Sequence, residues 1–345
     1  MPRSKEIRLY PALLPLSWIY GGIMQIRNLL YEHNILRTHP TYRPTISVGN
    51  LAVGGTGKTP MCAFLLSMLE ARGVAPALLS LGYGRKSSGL VEATDVSTAA
   101  DIGDEPLEIH QALPHIPIAV CKQRYEAAKQ LLLHHPEIQC FVMDDAYQHR
   151  PTHRDLNILL TDYHRLYTRD LVMPAGRLRE SAAGAKRAQF IIVSKCPDNL
   201  TKDEAEAIRK ELRPRPYQSV FFTSIHYQAP QTPQLNEKRV LLLTGIANPA
   251  PLAEYYRPLC ASLHTLAFPD HHTFTSADIN LLSDKAKTAD IIVTTGKDFA
   301  RLPQDLPSAI KEKLTVQRIG VNILFGEQDR LIDNIIHVLG LRTSH

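Results

Sequence analysis

The chain has 345 residues, 44% of them hydrophobic and 21% charged, which excludes an intrinsically disordered protein and leaves room for two domains. Its net charge of +5 suits a phosphate-rich ligand or an anionic membrane surface, and the absence of a basic aromatic platform argues against nucleic acid as a partner. The five cysteines are widely spaced, without a C-x-x-C pair, so we expect free thiols in a reducing compartment.

The first distinctive stretch, residues 9–26, carries no charged side chain and has basic residues on both sides. It is shorter than the roughly 20 apolar residues of a spanning helix, and prolines and glycines interrupt it. No cleavage site of small residues follows, which argues against a signal peptide. Trp18 and Tyr20 favour a helix at a membrane interface that continues toward Arg37, and a helix packed on its own domain is the alternative.

Residues 52–59 have the spacing of a phosphate-binding loop, with Ala52 where the strict pattern has glycine. The three glycines of this segment let backbone N–H groups turn around a phosphate. Lys58 can reach the β- and γ-phosphates, and the Thr59 hydroxyl can hold Mg²⁺. A predicted strand at 45–48 precedes the loop, and the N-terminus of a predicted helix follows it. Because strand, loop and helix occur in the required order, a chance glycine-rich turn is the weaker interpretation.

From Pro44 onward, short apolar runs alternate with helical stretches, a pattern typical of a mostly parallel sheet with helices on both faces. The predicted strands of the first unit are 45–48, 77–80, 118–121, 140–144, 157–161 and 190–194, and its predicted helices are 59–72, 104–113, 124–134 and 202–212.

An extended segment at 217–226 and a turn-rich linker at 228–233 lead into a second unit, which opens at Arg239. Its predicted strands are 240–243 and 291–295, its predicted helices are 251–256 and 297–302, and a predicted amphipathic helix at 325–339 closes the chain. The sequence therefore predicts three parts: an N-terminal membrane-associating helix at 1–37, a phosphate-loop domain at 38–222, and a smaller α/β domain at 223–345.

Asp144 ends the predicted strand 140–144, and Asp145 follows it directly. An apolar strand that ends in carboxylates, downstream of a phosphate loop, is where nucleotide-dependent enzymes place a metal-facing aspartate. One of the two would hold Mg²⁺ directly or through water, and spacing alone does not say which. A pair of turn or capping aspartates is the alternative.

Two further charged segments carry weaker signals. Gly-Asp-Glu-Pro at 103–106 begins a predicted helix. Asp104 suits its cap, and a carboxylate near the strand ends could also take a proton from an attacking hydroxyl. The turn at 174–180, Pro-Ala-Gly-Arg-Leu-Arg-Glu, carries two arginines that could clamp phosphates, or it is simply a solvated charged turn.

In the second unit, the segment 268–274, Phe-Pro-Asp-His-His-Thr-Phe, places two histidines beside an aspartate. No further ligand occurs at a metal-binding spacing, so an ordinary surface loop competes with a functional site. Thr-Gly-Lys-Asp at 295–298 faintly resembles a guanine-binding motif, but it lies outside the first unit and we expect it to begin a helix.

Together these segments resemble one family, the tetraacyldisaccharide 4′-kinases of lipid A synthesis. The matching pieces occur in the family's order and span nearly the whole chain: 47–60, 81–85, 103–106, 122–128, 144–150, 174–180, 243–249, 268–274 and 295–299. The phosphate loop alone would be unspecific, whereas the joint set is specific.

The resemblance implies an ATP-dependent lipid kinase that transfers the γ-phosphoryl group of ATP to the 4′-hydroxyl of tetraacyldisaccharide 1-phosphate. It implies a P-loop NTPase-type α/β fold with ATP and Mg²⁺ as cofactors. It also implies a peripheral or monotopic position on the cytoplasmic side of the inner membrane, with no obligate protein partner and no nucleic acid.

The resemblance also assigns roles by position. Asp104 matches the catalytic acid–base, and His271 matches the histidine that pairs with it, with His272 as the reserve candidate. An Asp–His pair makes physical sense, because the imidazole can orient the carboxylate and share the proton of the sugar hydroxyl. Asp144 and Asp145 match the metal-side acids, together with Thr59.

The other matching positions surround these. The nucleotide-binding positions are Ala52, Val53, Gly54, Gly55, Thr56, Gly57, Lys58 and Thr59. The remaining catalytic positions are Lys58, Arg124 and Arg179, and further active-site candidates are Glu105, Glu180 and Tyr83.

Two other classes of function compete with a kinase. A nucleotide-dependent switch, such as a GTPase or a metallochaperone, would share the phosphate loop and the acidic strand ends, although the first unit has no convincing guanine-specificity motif. A membrane-associated protein that binds ATP only as a ligand would leave Asp104, the two adjacent aspartates and His271 idle.

Overall fold

The structure is a computed structural model that describes residues 9–342 except 229–234, 247 and 271. The strands of this part of the chain are β1 (Thr45–Asn50), β2 (Pro76–Ser80), β3 (Val91–Glu92), β4 (Ile118–Val120), β5 (Cys140–Met143), β6 (Leu156–Asp162), β7 (Phe190–Ser194), β8 (Ser219–Tyr227), β9 (Arg239–Thr244), β10 (Ser262–Ala267), β11 (Ile291–Thr295), β12 (Leu314–Gln317) and β13 (Ile319–Ile323). The α-helices are α1 (Leu14–Glu32), α2 (Lys58–Ala71), α3 (Ala99–Ile102), α4 (Asp104–Ala112), α5 (Arg124–His134), α6 (Lys202–Leu212), α7 (Ala250–Tyr256), α8 (Ser276–Ala286), α9 (Gly296–Arg301), α10 (Ser308–Lys311) and α11 (Gln328–Leu339).

A nine-stranded sheet forms the centre of the molecule, in the order β13-β8-β7-β6-β1-β5-β2-β4-β3. All neighbouring pairs are parallel except the two edge pairs, β13 with β8 and β3 with β4. Every residue of the central strand β1 is buried, because helices cover both faces. The predicted parallel α/β fold is confirmed, and the six predicted strands of the first unit lie where β1, β2, β4, β5, β6 and β7 form.

A second, four-stranded sheet has the order β10-β9-β11-β12 and is parallel throughout. One face of it packs on α8 through Leu243 and Leu282, and the other packs on α7 through Leu242 and Tyr256. The strand β10 was not predicted. It is an edge strand without a fully buried position, so it lacks the apolar run by which buried strands are recognised.

The last part of the chain returns to the large sheet. β13 pairs with β8, and Leu331 and Ile335 of α11 join the same apolar core as Leu65 of α2. The boundary predicted between residues 222 and 223 falls inside β8. We therefore propose that the smaller unit is an insertion between β8 and β13, not the whole C-terminal part of the chain.

The N-terminal helix α1 ends at Glu32, short of the predicted Arg37, and Asn34 then takes a left-handed conformation with φ of 57°. One face of α1 docks on the large unit, where Ser17 Oγ accepts a hydrogen bond from the Ala175 amide at 2.9 Å. The opposite face is apolar and exposed, with Trp18 72% exposed. Within the described ranges, no helix has both the length and the apolar composition needed to cross a bilayer.

Candidate active site

The phosphate-loop segment connects β1 to α2 at the centre of the large sheet. Gly54 and Gly57 have φ of 116° and 83°, in the region that favours glycine, so these two positions shape the turn. Asn50, the last residue of β1, donates a hydrogen bond from Nδ2 to Thr56 Oγ1 at 2.8 Å. The loop is therefore fixed by the strand that precedes it, and α2 begins directly after it at Lys58.

The predicted arginine-bearing turn lies against this loop. Ala52 forms a β-bridge with Leu178, and the Val53 amide donates to the Arg177 carbonyl at 2.8 Å. These contacts carry Arg179 to the mouth of the loop. The structure thus brings together two segments that are separated by more than 100 residues in the sequence, as the proposed phosphate clamp requires.

Asp145 lies between two cations. Lys58 Nζ is 3.7 Å from Asp145 Oδ1, and Arg179 Nη1 donates to both oxygens of the same carboxylate at 3.1 Å. The side chains of Lys58 and Arg179 are 12% and 26% exposed, so both charges are partly accessible from solvent. Lys58 and Arg179 are therefore placed to meet the negative charge of a bound triphosphate.

The buried carboxylate of Asp144 accepts a hydrogen bond from Cys62 Sγ at 3.6 Å. Burial, together with the nearby carboxylates of Glu105 and Asp145, raises the pKa of Asp144 to about 7, although Lys58 opposes the shift. Burial also raises the pKa of the Cys62 thiol, which keeps this donor protonated. An ionised Asp144 is therefore costly unless a cation lies beside it.

Thr59 and Asp144 fit a magnesium ion chemically. Thr59 lies buried in the first turn of α2, and hydroxyl and carboxylate oxygens are the hard ligands that Mg²⁺ takes together with substrate phosphates. In the part of the chain that the structure describes, no three His, Cys, Asp or Glu side chains converge on a metal site. Phosphate oxygens of the nucleotide would therefore have to complete the ligand set of the ion. Asp145 as a second metal-side acid stays a prediction.

Arg124 begins α5 and is buried, with Nη1 2.9 Å from Nδ1 of His149. Burial and the positive charges of Arg124, Arg154 and Arg27 lower the pKa of His149 to about 3, so its imidazole is neutral. Its Nδ1 then accepts the hydrogen bond from Arg124, and its Nε2 donates to Thr152 Oγ1 at 3.0 Å. The sequence assigned no role to His149, which orients Arg124.

The acid–base candidate Asp104 begins α4 at the contact between the two units. Its side chain is 9% exposed, and its Oδ2 accepts from Arg301 Nε at 3.1 Å and Nη2 at 2.9 Å. The Glu105 amide donates to Asp104 Oδ1 at 3.0 Å, and Glu105 Oε1 accepts from Lys297 Nζ at 2.9 Å. Both cations belong to α9 of the smaller unit.

Tyr83 and Asp104 line the same cavity, which has a volume of about 370 Å³. Tyr83 is 71% exposed, and Thr273 and Arg301 of the smaller unit also line this cavity. Gly103 has φ of 91°, and a Cβ there would lie 2.9 Å from the Tyr83 carbonyl oxygen. This close approach explains the glycine before Asp104, because any larger residue would push the two loops apart.

Glu180 lies in a buried network beside α1. Its carboxylate accepts from Arg187 Nη2 at 2.7 Å, from Asn28 Nδ2 at 2.8 Å and from Gln148 Nε2 at 3.0 Å. The same Gln148 nitrogen donates to the Asn50 carbonyl at 2.9 Å. Glu180 therefore connects the N-terminal helix to the end of β1, and its role as an active-site residue stays a prediction.

His271 lies outside the described residues, so its pairing with Asp104 stays a prediction. The reserve candidate His272 has its Nε2 3.0 Å from Asp278 Oδ2 and its ring stacked on Phe268, with centroids 4.6 Å apart. These contacts hold His272 within the smaller unit. Thr273, two residues after His271, does line the cavity that contains Asp104.

Lys195 was missed by the sequence analysis. It follows β7 directly with φ of 58°, and its Nζ donates to the Gly55 carbonyl and to Asp162 Oδ2, the latter at 2.9 Å. Lys195 thus ties the phosphate loop to the ends of β6 and β7. A charged residue immediately after a buried strand was the available signal, the same one that identified the aspartates after β5.

The profile of the family described as tetraacyldisaccharide-1-P 4′-kinase matches residues 9–339. The chain belongs to this family. Its relatives include the tetraacyldisaccharide 4′-kinase of Bacteroides thetaiotaomicron, 39% identical over 96% of this chain and 93% of that protein, and that of Flavobacterium johnsoniae, 41% identical over 84% and 86%. The structure of LpxK from Aquifex aeolicus in complex with ATP is similar with a TM-score of 0.74 and 26% identity, covering 95% of this chain and 98% of that one.

These similarities agree with the geometry of the site. The predicted family, its P-loop α/β fold and the prediction of a kinase are confirmed. A GTPase-type switch or a metallochaperone is not favoured, because the curated relatives named above are kinases.

Proposed function

We propose that this kinase transfers the γ-phosphoryl group of ATP to the 4′-hydroxyl of tetraacyldisaccharide 1-phosphate. The observation that carries the proposal is the joint arrangement of a phosphate loop, with Lys58 and Arg179 at its mouth, and a buried acid, Asp104, in a cavity between the two units. Phosphoryl transfer needs both a site for the donor phosphates and a site for the acceptor hydroxyl.

The donor side of the reaction uses the loop between β1 and α2. Its backbone N–H groups and Lys58 would hold the β- and γ-phosphates, and Arg179 would bind the transferred group. Mg²⁺ held by Thr59 and Asp144 would supply charge neutralisation on the same phosphates. Release of Asp145 from its contact with Lys58 and Arg179 would accompany nucleotide binding, because the phosphates compete for the same two cations.

On the acceptor side, Asp104 would take the proton of the 4′-hydroxyl as the hydroxyl oxygen attacks the γ-phosphorus. The new bond joins the sugar oxygen to phosphorus, the bond to the β–γ bridging oxygen breaks, and ADP leaves with the electron pair. His271 would share the proton with Asp104. The cavity lined by Tyr83, Asp104 and Thr273 lies within the usual size range of small-molecule sites and suits the sugar.

Because the acceptor carries acyl chains, it would reside in a membrane, and α1 would bring the protein to that membrane. The exposed apolar face of α1 would lie at the interface of the inner membrane on the cytoplasmic side, as in a peripheral or monotopic protein. Ile19, Ile23 and Ile26 are spaced so that all three fall on this face, and Trp18 suits the headgroup region.

The test supplies purified protein with Mg²⁺ and either labelled ATP or labelled GTP, with and without tetraacyldisaccharide 1-phosphate. We expect label in the lipid from ATP, and no comparable hydrolysis when the lipid is omitted. Hydrolysis independent of lipid, or a preference for GTP, would instead support a nucleotide-dependent switch.

A further inference from the structure

Three cationic side chains from beyond β8 converge on one helix of the large unit, α4. Lys297 donates to Glu105 at 2.9 Å, and Arg301 donates twice to Asp104. Farther along α4, Arg318 Nη2 donates to the Gln111 carbonyl at 2.9 Å. The helix that carries the acid–base candidate is therefore held from its first residue to its last turn by the smaller unit and its link to β13.

The Arg301 guanidinium is itself held in place. Its side chain is 6% exposed, and its Nη1 donates to the Gly245 carbonyl at 3.0 Å and to Asp298 Oδ1 at 3.3 Å. Asp298 is fully buried and accepts a 2.7 Å hydrogen bond from Thr295 Oγ1 at the start of α9. The guanidinium therefore has one position relative to the smaller unit, set by the loop after β9 and by the cap of α9.

The ion pair between Arg301 and Asp104 differs from ordinary surface pairs because both side chains are buried. Exposed pairs contribute little, whereas removing one partner of a buried, doubly hydrogen-bonded pair leaves an uncompensated charge. Two N–H groups of Arg301 converge on the single oxygen Oδ2, and the Glu105 amide occupies Oδ1. Contacts on both oxygens fix the rotation of the carboxylate, which decides where a proton acceptor points.

We propose that Arg301 is a positioning residue for phosphoryl transfer, which orients Asp104 toward the acceptor hydroxyl and couples that orientation to the position of the smaller unit. Lys297 orients the neighbouring carboxylate of Glu105 in the same way. This inference rests on the proposed function, because the orientation of Asp104 matters only if a hydroxyl is deprotonated there.

The test is a double-mutant cycle on lipid phosphorylation, with the wild-type protein assayed first. Arg301→Lys keeps the charge and loses the two-pronged geometry, so we expect kcat to fall by about 10-fold or more while KM for ATP changes less than about 2-fold. In the Asp104→Ala background the same substitution should cost less than about 2-fold, because a residue that acts through Asp104 has nothing left to orient. Arg318→Lys is the matched control, since it alters a cation that contacts α4 at the Gln111 carbonyl without touching either acid, and it should keep full kcat.

Each outcome decides between the alternatives. A loss of equal size in both backgrounds, or full kcat in Arg301→Lys, would overturn the positioning role and leave a purely structural contact. If Arg301→Lys melts well below the wild type, the cycle is repeated with Lys297→Met and Glu105→Gln. The role is then supported if Lys297→Met lowers kcat in the wild-type background and costs little in the Glu105→Gln background. Absence of lipid phosphorylation in the wild type would contradict the proposed function itself, which is a different result from an active wild type with an unaffected variant.

Discussion

In the proposed mechanism Lys58 and Asp104 act on opposite sides of the transferred phosphoryl group, so their loss should produce different defects. Lys58→Ala should weaken ATP binding and lower turnover, because Lys58 contributes charge to the bound phosphates. Asp104→Ala should lower kcat by about 10²- to 10⁴-fold, the usual contribution of a general base, with ATP affinity unchanged. We expect His271→Ala to resemble Asp104→Ala.

The check combines ATP titration by calorimetry with steady-state kinetics on the same preparations. Near-normal kcat in Asp104→Ala or His271→Ala would remove that residue from acid–base chemistry. Unchanged ATP affinity in Lys58→Ala would discredit the assignment of the phosphate loop.

Glu108 makes the stability of the contact between α4 and α9 depend on pH. Its Oε2 is shielded from solvent and has no hydrogen-bond partner in the described ranges, and a Cβ on Gly296 would lie 2.6 Å from its Oε1. Burial raises the pKa of Glu108 from 4.5 to about 7, with Lys297 opposing the shift. Between pH 4.5 and about pH 7, Glu108 keeps its proton in the folded chain but has released it in the unfolded chain.

The contribution of this group to the free energy of unfolding therefore falls as pH rises through that window, by at most about 3 kcal/mol. Glu108→Gln, which mimics the protonated acid, should be more stable than the wild type at about pH 8 and gain little at about pH 5. Chemical unfolding at both pH values measures this difference, with the exposed Glu312→Gln as control. An equal gain at both pH values would show that charge burial is not the cause.

Residues whose chemistry lies in a contiguous motif could be predicted from the sequence, whereas their partners could not. The loop residues and the two aspartates after β5 follow strands that local pattern identifies. Arg301 meets Asp104 across 197 positions of sequence, and no local pattern connects them. Lys195 meets Gly55 across 140 positions in the same way.

At the scale of elements, α1 docks one face on the large unit and leaves an apolar face exposed. Ile19 and Ile23 are 63% and 59% exposed, although burying such a side chain is worth about 1.5–3 kcal/mol. Replacing both with aspartate should reduce binding to anionic lipid vesicles by about 10-fold or more, with the melting temperature unchanged. Vesicle co-sedimentation measures the loss.

Leu133→Asp supplies a matched control for this prediction. Leu133 is 69% exposed on α5, so the substitution removes a similar exposed apolar side chain from a different helix. If the α1 variant and this control bind vesicles equally, α1 is not the membrane-facing element.

Buried elements were predicted more accurately than exposed ones. The central strands show continuous apolar runs, since helices cover both of their faces, and such runs are distinctive. β10 and β12 have partly exposed side chains, and β13 mixes buried with exposed positions, so their sequences carry no such run. α8 has a capping box at Thr275 that marks its start, yet it lies next to the histidine segment and was not predicted.

At the scale of the whole molecule, the four-stranded sheet lies between β8 and β13 in the chain, which supports the proposal that the smaller unit is an insertion and not an appended domain. The chain leaves after β8, builds four parallel strands and returns through β13, which pairs with β8. Such an insertion constrains both ends of the smaller unit. It explains how α9 can carry Lys297 and Arg301 to fixed positions on the acids of α4.

The position of the new phosphate on the product tests the central claim most directly. Lipid treated with the wild-type protein, ATP and Mg²⁺ is purified, and ³¹P–¹H correlation spectroscopy identifies the sugar proton coupled to the added phosphorus. We predict coupling to the proton at carbon 4′, with the original 1-phosphate unchanged, and a much weaker signal from Lys58→Ala or Asp104→Ala after the same reaction time. A phosphate at any other position, or an unmodified lipid after ATP has been consumed, would contradict the account.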